Sequence, residues 1–333
     1  MRIESSVTSI SWIPSEAVEG LVTKATFELG VAHYDPPPPA EAPDLEQLRR
    51  EDRFRFANQL QAYIEVEDGR IVGHGQAGRG LIGSTSMQLL GRRATFEAAA
   101  LPDIRPAAEV TQDRVRFLQT AGGRTGAPLP RRVSRPPYLQ LRAPLAWTTL
   151  ALTIFADGRS EGELVGASPF PRHWIYDGQG RLGQKSGQID YKTWTLRSFG
   201  RHTPWGDRDS PAVVAEVESA LERELSSRVM EGSPSQRRVP RGGVLTRQGD
   251  EASELYLLLD GILKVVVDDK PVAEVGPGAL LGERAVLNQG IRTATLTAVT
   301  PCRVAVVPAD RIRREQLEAV AQGHRREGVK GPG

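Results

Sequence analysis

Gly278-Ala279-Leu280-Leu281-Gly282-Glu283-Arg284-Ala285-Val286-Leu287, running through Asn288-Gln289-Gly290 into Ile291-Arg292-Thr293-Ala294-Thr295, is the stretch on which the fold of this chain turns. Glycines break its apolar residues, which leaves a short, one-turn helical segment inside a β-rich region. A carboxylate, Glu283, and a guanidinium, Arg292, stand on either side of that turn. Such a pair suits a ribose fused to an anionic phosphate. A fixed carboxylate accepts a hydrogen bond from a 2′-hydroxyl, and the planar fork of arginine holds two phosphate oxygens at once. Gly282 opens the turn, and the backbone N–H groups there add donors where the anion would sit.

Working outward, Gly249-Asp250 is followed by the apolar run Glu254-Leu255-Tyr256-Leu257-Leu258-Leu259-Asp260-Gly261. Ile262-Leu263-Lys264-Val265-Val266-Val267 reads as a second strand, and Asp268-Asp269-Lys270 as the turn into a third. Val275-Gly276-Pro277-Gly278 precedes the charged stretch, while Ala294 to Val299 and Cys302 to Val307 read as closing strands. This ordered series of glycine turns and β-branched runs, from Val239 to Gly323, resembles the cyclic-nucleotide-binding domains. These are the β-rolls of catabolite-activator-protein-like regulators and protein kinase A regulatory subunits. The resemblance implies that Gly282 and Glu283 contact the ribose and Arg292 the cyclic phosphate, with the backbone of Thr293 and Ala294 completing the cradle. Leu281 stands where an aromatic residue is common in the family, and can still fill a core position. Arg284 stands where an apolar residue is frequent, and its guanidinium is expected to snorkel outward. The alternative is a roll that kept its fold and lost its ligand, against which both charged groups at the family's separation weigh. Thr293 has two roles open to it: its hydroxyl can reach the amino group of a guanine held syn, or bond locally to a strand backbone. Relatives with a hydroxyl there include cAMP binders, so cAMP is expected ahead of cGMP.

Composition sets the frame. With 333 residues, 25% charged and 39% hydrophobic, the chain is long enough for two or three packed domains. A net charge of +2 is too balanced to argue for nucleic acid. One cysteine, Cys302, excludes an intrachain disulfide and reads as inert core. Five scattered histidines argue against a zinc site, so no metal and no cofactor are expected. The start, Met1-Arg2-Ile3-Glu4-Ser5-Ser6, lacks the apolar run of a signal peptide, and no segment reads as a bilayer span. A cytoplasmic protein without membrane contact is the default expectation.

The overall expectation is a mainly β protein with short flanking helices. Residues 1–205 form a β-rich domain, 206–234 a connecting helix and linker, 235–323 the roll, and 324–333 a disordered tail. The connecting helix is expected over Pro211 to Met230, with Ser210 as N-cap and Val214, Val217, Leu221 and Leu225 on one stripe. A closing helix is expected over Pro308 to Gln322, stopped at Gly323, with Ile312, Leu317 and Val320 on its stripe. No helix-turn-helix follows the roll in this sequence, so a DNA-binding regulator of that type is not expected.

The first 202 residues carry more strand than helix signals and resemble no family. Val7 to Trp12 and Thr23 to Val31 read as strands. Ala62, Ile64 and Val66 alternate with polar residues before Asp68-Gly69, the pair favoured by a two-residue primed turn. The same pair recurs as Asp157-Gly158 and Asp177-Gly178. Pro36 to Pro39 is an extended spacer, and a short helix is expected at Leu45 to Glu51. The sum is an antiparallel sandwich or barrel. Gly73-His74-Gly75-Gln76-Ala77-Gly78 matches a dinucleotide fingerprint on paper, but no helix follows, and these glycines read as turns. Gly122 to Arg135 is basic and proline-rich and reads as a solvated long loop, with an anion-binding patch as the alternative. Arg172-His173-Trp174-Ile175-Tyr176-Asp177 and Lys185 to Lys192 form the densest polar cluster. There His173, oriented by Asp177 or Asp190, could serve as a general base and Lys185 could activate a carbonyl, although such side chains also decorate any exposed hairpin.

Two functions emerge. The first is a non-enzymatic receptor, with no catalytic residues assigned, whose roll binds a cyclic nucleotide through Gly282, Glu283, Arg292, Thr293 and Ala294. Its N-terminal domain would be an output or protein-partner surface. The second is an enzyme with an N-terminal catalytic domain under control of the roll. A scaffold with a vestigial roll, assembling as a homo-oligomer, is the remaining alternative.

Overall fold

The computed structural model describes residues 1–14, 34–187 (except 43, 52, 84, 90–91, 97, 126–128 and 133–137), 189–191, 193–194, 198, 203–205, 214–216, 220–232, 234–287 and 290–323. The expected strand Thr23–Val31, the helix start at Ser210-Pro211, Val217 and the tail His324–Gly333 lie outside them. The chain is mainly β and divides into two compact units, Met1–Ala212 and Val213–Gly333.

The N-terminal unit is an antiparallel sandwich. One sheet contains, in order, β14 (Leu182–Ser186), β13 (Arg172–Tyr176), β1 (Arg2–Trp12), β2 (Phe56–Glu67) and β3 (Arg70–Ile82). The other runs β12 (Ser160–Ala167), β11 (Leu145–Phe155), β8 (Arg114–Arg124), β6 (Ala99–Ala100), with β7 (Glu109–Val110) also on β8. Two separate ribbons are β4 (Thr85–Leu89) with β5 (Arg92–Phe96), and β9 (Leu129–Arg132) with β10 (Leu139–Arg142). Alternation decides which face is buried: Leu60, Ala62, Ile64 and Val66 of β2 turn inward against Val115 and Phe117 of β8 and Leu150, Leu152 and Ile154 of β11. On the opposite face of the first sheet, α1 (Leu45–Arg50) lays Leu45 and Leu48 on Ile10, Trp12, Trp174 and Tyr176. Asp44 caps that helix by accepting from the N–H groups of Glu46 and Gln47. The buried Arg55–Asp35 pair, bonded through Nη2 at 2.8 Å and Nε at 3.1 Å, ties the chain beside the proline run to β1 and β2.

Several local expectations need correcting. Asp68 (φ 48°) and Gly69 (φ 73°) form the two-residue primed turn, but Asp157-Gly158 and Asp177-Gly178 do not. In both of those the loop is longer, and the aspartate carboxylate bonds a main-chain N–H two residues on, at Arg159 and at Gln179. The glycines at 73, 75 and 78 are strand residues of β3, not turns. Side chains there would run into Glu65, the Tyr63 ring and the Gln59 carbonyl on neighbouring β2. Gly122 and Gly123 lie inside β8, and Leu129–Arg132 pairs with β10, so that basic stretch is partly a ribbon and not one long loop.

The C-terminal unit begins with β15 (Val214–Glu216), and its first helix, α2, spans Ala220–Glu231. The expected helix from Pro211 is therefore too long, and β-branched Val214 suits extended backbone. The roll packs β16 (Gln236–Val239), β23 (Cys302–Pro308), β18 (Glu254–Asp260) and β21 (Leu280–Leu281) against β17 (Val244–Thr246), β22 (Thr295–Ala298), β19 (Leu263–Val267) and β20 (Lys270–Val275). Asp268 and Asp269 take positive φ at the β19–β20 turn. The unbroken apolar run of β18 has a simple cause. Tyr256 and Leu258 face the roll interior, while Leu255, Leu257 and Leu259 lie under Leu225 of α2 and Leu317 and Val320 of α4 (Arg314–Gly323). Ile312 joins that layer, but Ala309–Arg311 is a 3-10 turn and the closing helix starts only at Arg314. Among the described residues no helix is long and apolar enough to cross a membrane.

Candidate ligand-binding site

Gly282 leaves β21 with φ +88°, a conformation that L side chains avoid, and turns the chain into α3 (Glu283–Leu287). On the other arm, Gly290 (φ +76°) receives the chain after the helix, its N–H bonding the Ala285 carbonyl at 2.8 Å. The main chain of Arg292 is then clamped on both sides: its N–H donates to the Asp250 carbonyl at 2.8 Å, and its carbonyl accepts from Gly249 N–H at 2.9 Å. That is the work of the Gly249-Asp250 pair read from the sequence. Gly249 itself sits at φ +88°.

The two arms meet at side-chain level. A Cβ added to Gly282 would overlap Nη1 of Arg292, which places the guanidinium directly beside that glycine. Arg292 is only 6% exposed. Its Nη2 donates to Tyr256 Oη at 3.5 Å, and its Cζ lies 5.0 Å from the Tyr256 ring centroid. Its Nη1 has no hydrogen-bond partner among the described residues. A buried guanidinium N–H without an acceptor is destabilising by several kcal/mol relative to a paired one, at roughly the scale of a broken buried ion pair. Glu283 is 1% exposed, so neither charged residue of the site faces bulk water. Thr293 and Ala294 lead directly from Arg292 into β22, and Ala294 is buried in the roll core.

Two residues at the rim depart from the family's usual types. Leu281 fills a core position beside Tyr256 and Leu258, as its apolar character allows. Arg284 does not simply snorkel into solvent. It is half-buried, and Nη2 reaches the Ala321 carbonyl in the last turn of α4 at 3.5 Å. Beneath the site, Glu222 of α2 is fully buried and accepts from Leu280 N–H at 3.1 Å, two residues before Gly282.

The N-terminal polar cluster is enclosed, with Arg172, His173 and Lys185 all buried. His173 lies on the fully buried strand β13, not on an exposed hairpin. Its Nδ1 is 2.6 Å from Ser11 Oγ and its Nε2 is 2.9 Å from the Ser168 carbonyl. Burial pushes its pKa down to about 4, with the Ser168 contact opposing, so the imidazole is neutral. Neither expected orienting carboxylate is on it, for Asp177 bonds Arg181 and Asp190 bonds Thr193. Cys302 is buried in β23 and its thiol is raised to about 11, chiefly by desolvation, which makes it a poor nucleophile.

Residues 236–317 match the family model of the cyclic nucleotide-binding domain, and that segment is such a domain. Lysophospholipase nte1 of Neurospora crassa is 37% identical over 91 residues, 26% of this chain and 6% of that protein. The cAMP-dependent protein kinase regulatory subunit of Eremothecium gossypii is 36% identical over 64 residues, 19% of this chain and 14% of that protein. Among solved structures, the N-terminal domain of a transcriptional regulator from Streptomyces coelicolor A3(2) is 30% identical at a TM-score of 0.24, covering 32% of this chain and 79% of that one. The chain thus spans a small part of the curated relatives it matches.

Proposed function

We propose that the C-terminal unit is a receptor for a purine cyclic nucleotide, cAMP ahead of cGMP, in a cytoplasmic protein whose N-terminal sandwich is the output or partner-binding surface. The observation that carries this is Arg292: a guanidinium buried in a small β-roll, packed into the space left by the missing Cβ of Gly282, with Nη1 unpartnered among the described residues. An exocyclic phosphate oxygen is the acceptor such a group lacks, and the neighbouring Gly282-Glu283 arm supplies the ribose side. The cAMP preference draws on the likeness to a cAMP-dependent kinase subunit, while the Thr293 hydroxyl keeps cGMP close behind. Ligand occupancy can bias an output only through elements that differ between bound and free states. The elements tied to the site are α2, through Glu222, and α4, through Arg284. Melting curves of the full chain with cAMP, cGMP and non-cyclic AMP test the proposal. A ligand at a hundredfold excess over its Kd stabilises by about 2.7 kcal/mol, so a rise with cAMP that exceeds those with cGMP and AMP is expected. No rise with either cyclic nucleotide would remove the receptor role.

A further inference from the structure

Tyr256 touches both arms of the site. Its main chain pairs with Leu281, the residue before Gly282, and so sets the height of the Gly282-Glu283 arm. Its side chain lies under the guanidinium of Arg292, with the hydroxyl 3.5 Å from Nη2. The phenol in turn donates to Glu254 Oε2 at 3.1 Å, and that carboxylate lies 4.0 Å from Arg237 Nη2 at the surface. An acceptor whose own proton is given to a carboxylate is the stronger acceptor. From this arrangement we infer that Tyr256 is the positioning residue of the phosphate site. It occupies Nη2 and thereby turns Nη1 toward Gly282, so that the arginine is ordered before the anion arrives. Ordering a long side chain in advance removes an entropy penalty from binding. This role rests on the receptor function proposed above and concerns the anion alone, since nothing in it touches the base.

Tyr256 is also a core residue, 3% exposed, so its removal by truncation would say little. Tyr256→Phe keeps the ring and deletes only the hydroxyl. Affinities of the full-length wild type and variant are compared by calorimetry for cAMP, and for adenosine in competition with it. The expected result is cAMP binding about five- to twentyfold weaker in the variant, adenosine binding unchanged, and an unliganded melting temperature close to that of wild type. Glu254→Gln, at a half-exposed position, should shift cAMP affinity in the same direction by about two- to threefold. Equal cAMP affinities in wild type and Tyr256→Phe would overturn the assignment, as would a parallel loss for cAMP and adenosine, which marks a general packing defect. Should Tyr256→Phe fail to fold, an unchanged cAMP affinity in Glu254→Gln overturns it. A wild type that binds neither cAMP nor cGMP refutes the receptor role itself, a different outcome from equal binding by the two proteins.

Discussion

Gly282 and Arg292, ten positions apart in sequence, are packed so closely that a single methyl group on the glycine would occupy the space of the arginine's Nη1. The missing side chain is therefore part of the site. The first arm must pass with positive φ and without a Cβ for the second arm to reach the same point.

Gly282→Ala should weaken cyclic-nucleotide binding by at least about tenfold. An L-residue at φ +88° is strained by roughly 1–2 kcal/mol, and its methyl group displaces the guanidinium as well. Calorimetry gives the affinity, and an unchanged far-UV spectrum should accompany the loss. Wild-type affinity in this variant would mean that Arg292 has no role beside residue 282.

Arg284→Ala should loosen α4 without unfolding the roll. The Arg284–Ala321 bond joins α3 to the closing helix, and a hydrogen bond from a charged group contributes about 1.5–3 kcal/mol when well formed. At 3.5 Å it belongs at the low end of that range or below, so amide exchange in residues 314–323 should speed up about three- to tenfold, with β18 and β23 unchanged. Equal exchange in α4 would assign its docking to Leu317 and Val320 alone.

The N-terminal unit should lose stability in mild acid through His173. Its folded pKa of about 4 lies below its ordinary value of 6.5, so the unfolded chain takes up the proton first as pH falls. The neutral form's contribution is complete above pH 6.5, declines between 6.5 and 4, and the total loss is roughly 3 kcal/mol. Urea unfolding at intervals from pH 7.5 to 4.5 measures the slope. His173→Gln should flatten it by about one proton, and an identical slope in that variant would place the titration elsewhere.

How much of this was legible beforehand varies with the range of the interactions. The roll was readable because its signals are local: Gly249, Gly261, Gly278 and Gly282 all sit at positive φ, and the runs between them are strands. The apolar run Leu255 to Leu259 is a strand whose two faces are both covered in the structure. In the N-terminal unit, Asp68-Gly69 was a sound hairpin signal, but the same pair at 157 and 177 was not. In those loops the aspartate side chain caps its own loop, which dipeptide identity does not reveal. The glycines of β3 were misread because their reason lies across the sheet, in Glu65, Tyr63 and Gln59. Glu222 and Tyr256 escaped as site residues for the same cause. Their partners lie 58 residues away for Glu222 and 36 for the Tyr256–Arg292 contact, and helix or strand periodicity carries no trace of such pairs. His173 looked like a surface base because its neighbours are polar, whereas β13 is buried from end to end.

The measurement closest to the central claim is a calorimetric titration of cAMP into full-length wild type and into Arg292→Ala, under matched salt. One site per chain is expected in wild type, and an affinity lower by about 2–5 kcal/mol, at least thirtyfold, in the variant. Equal affinities in the two proteins would contradict it.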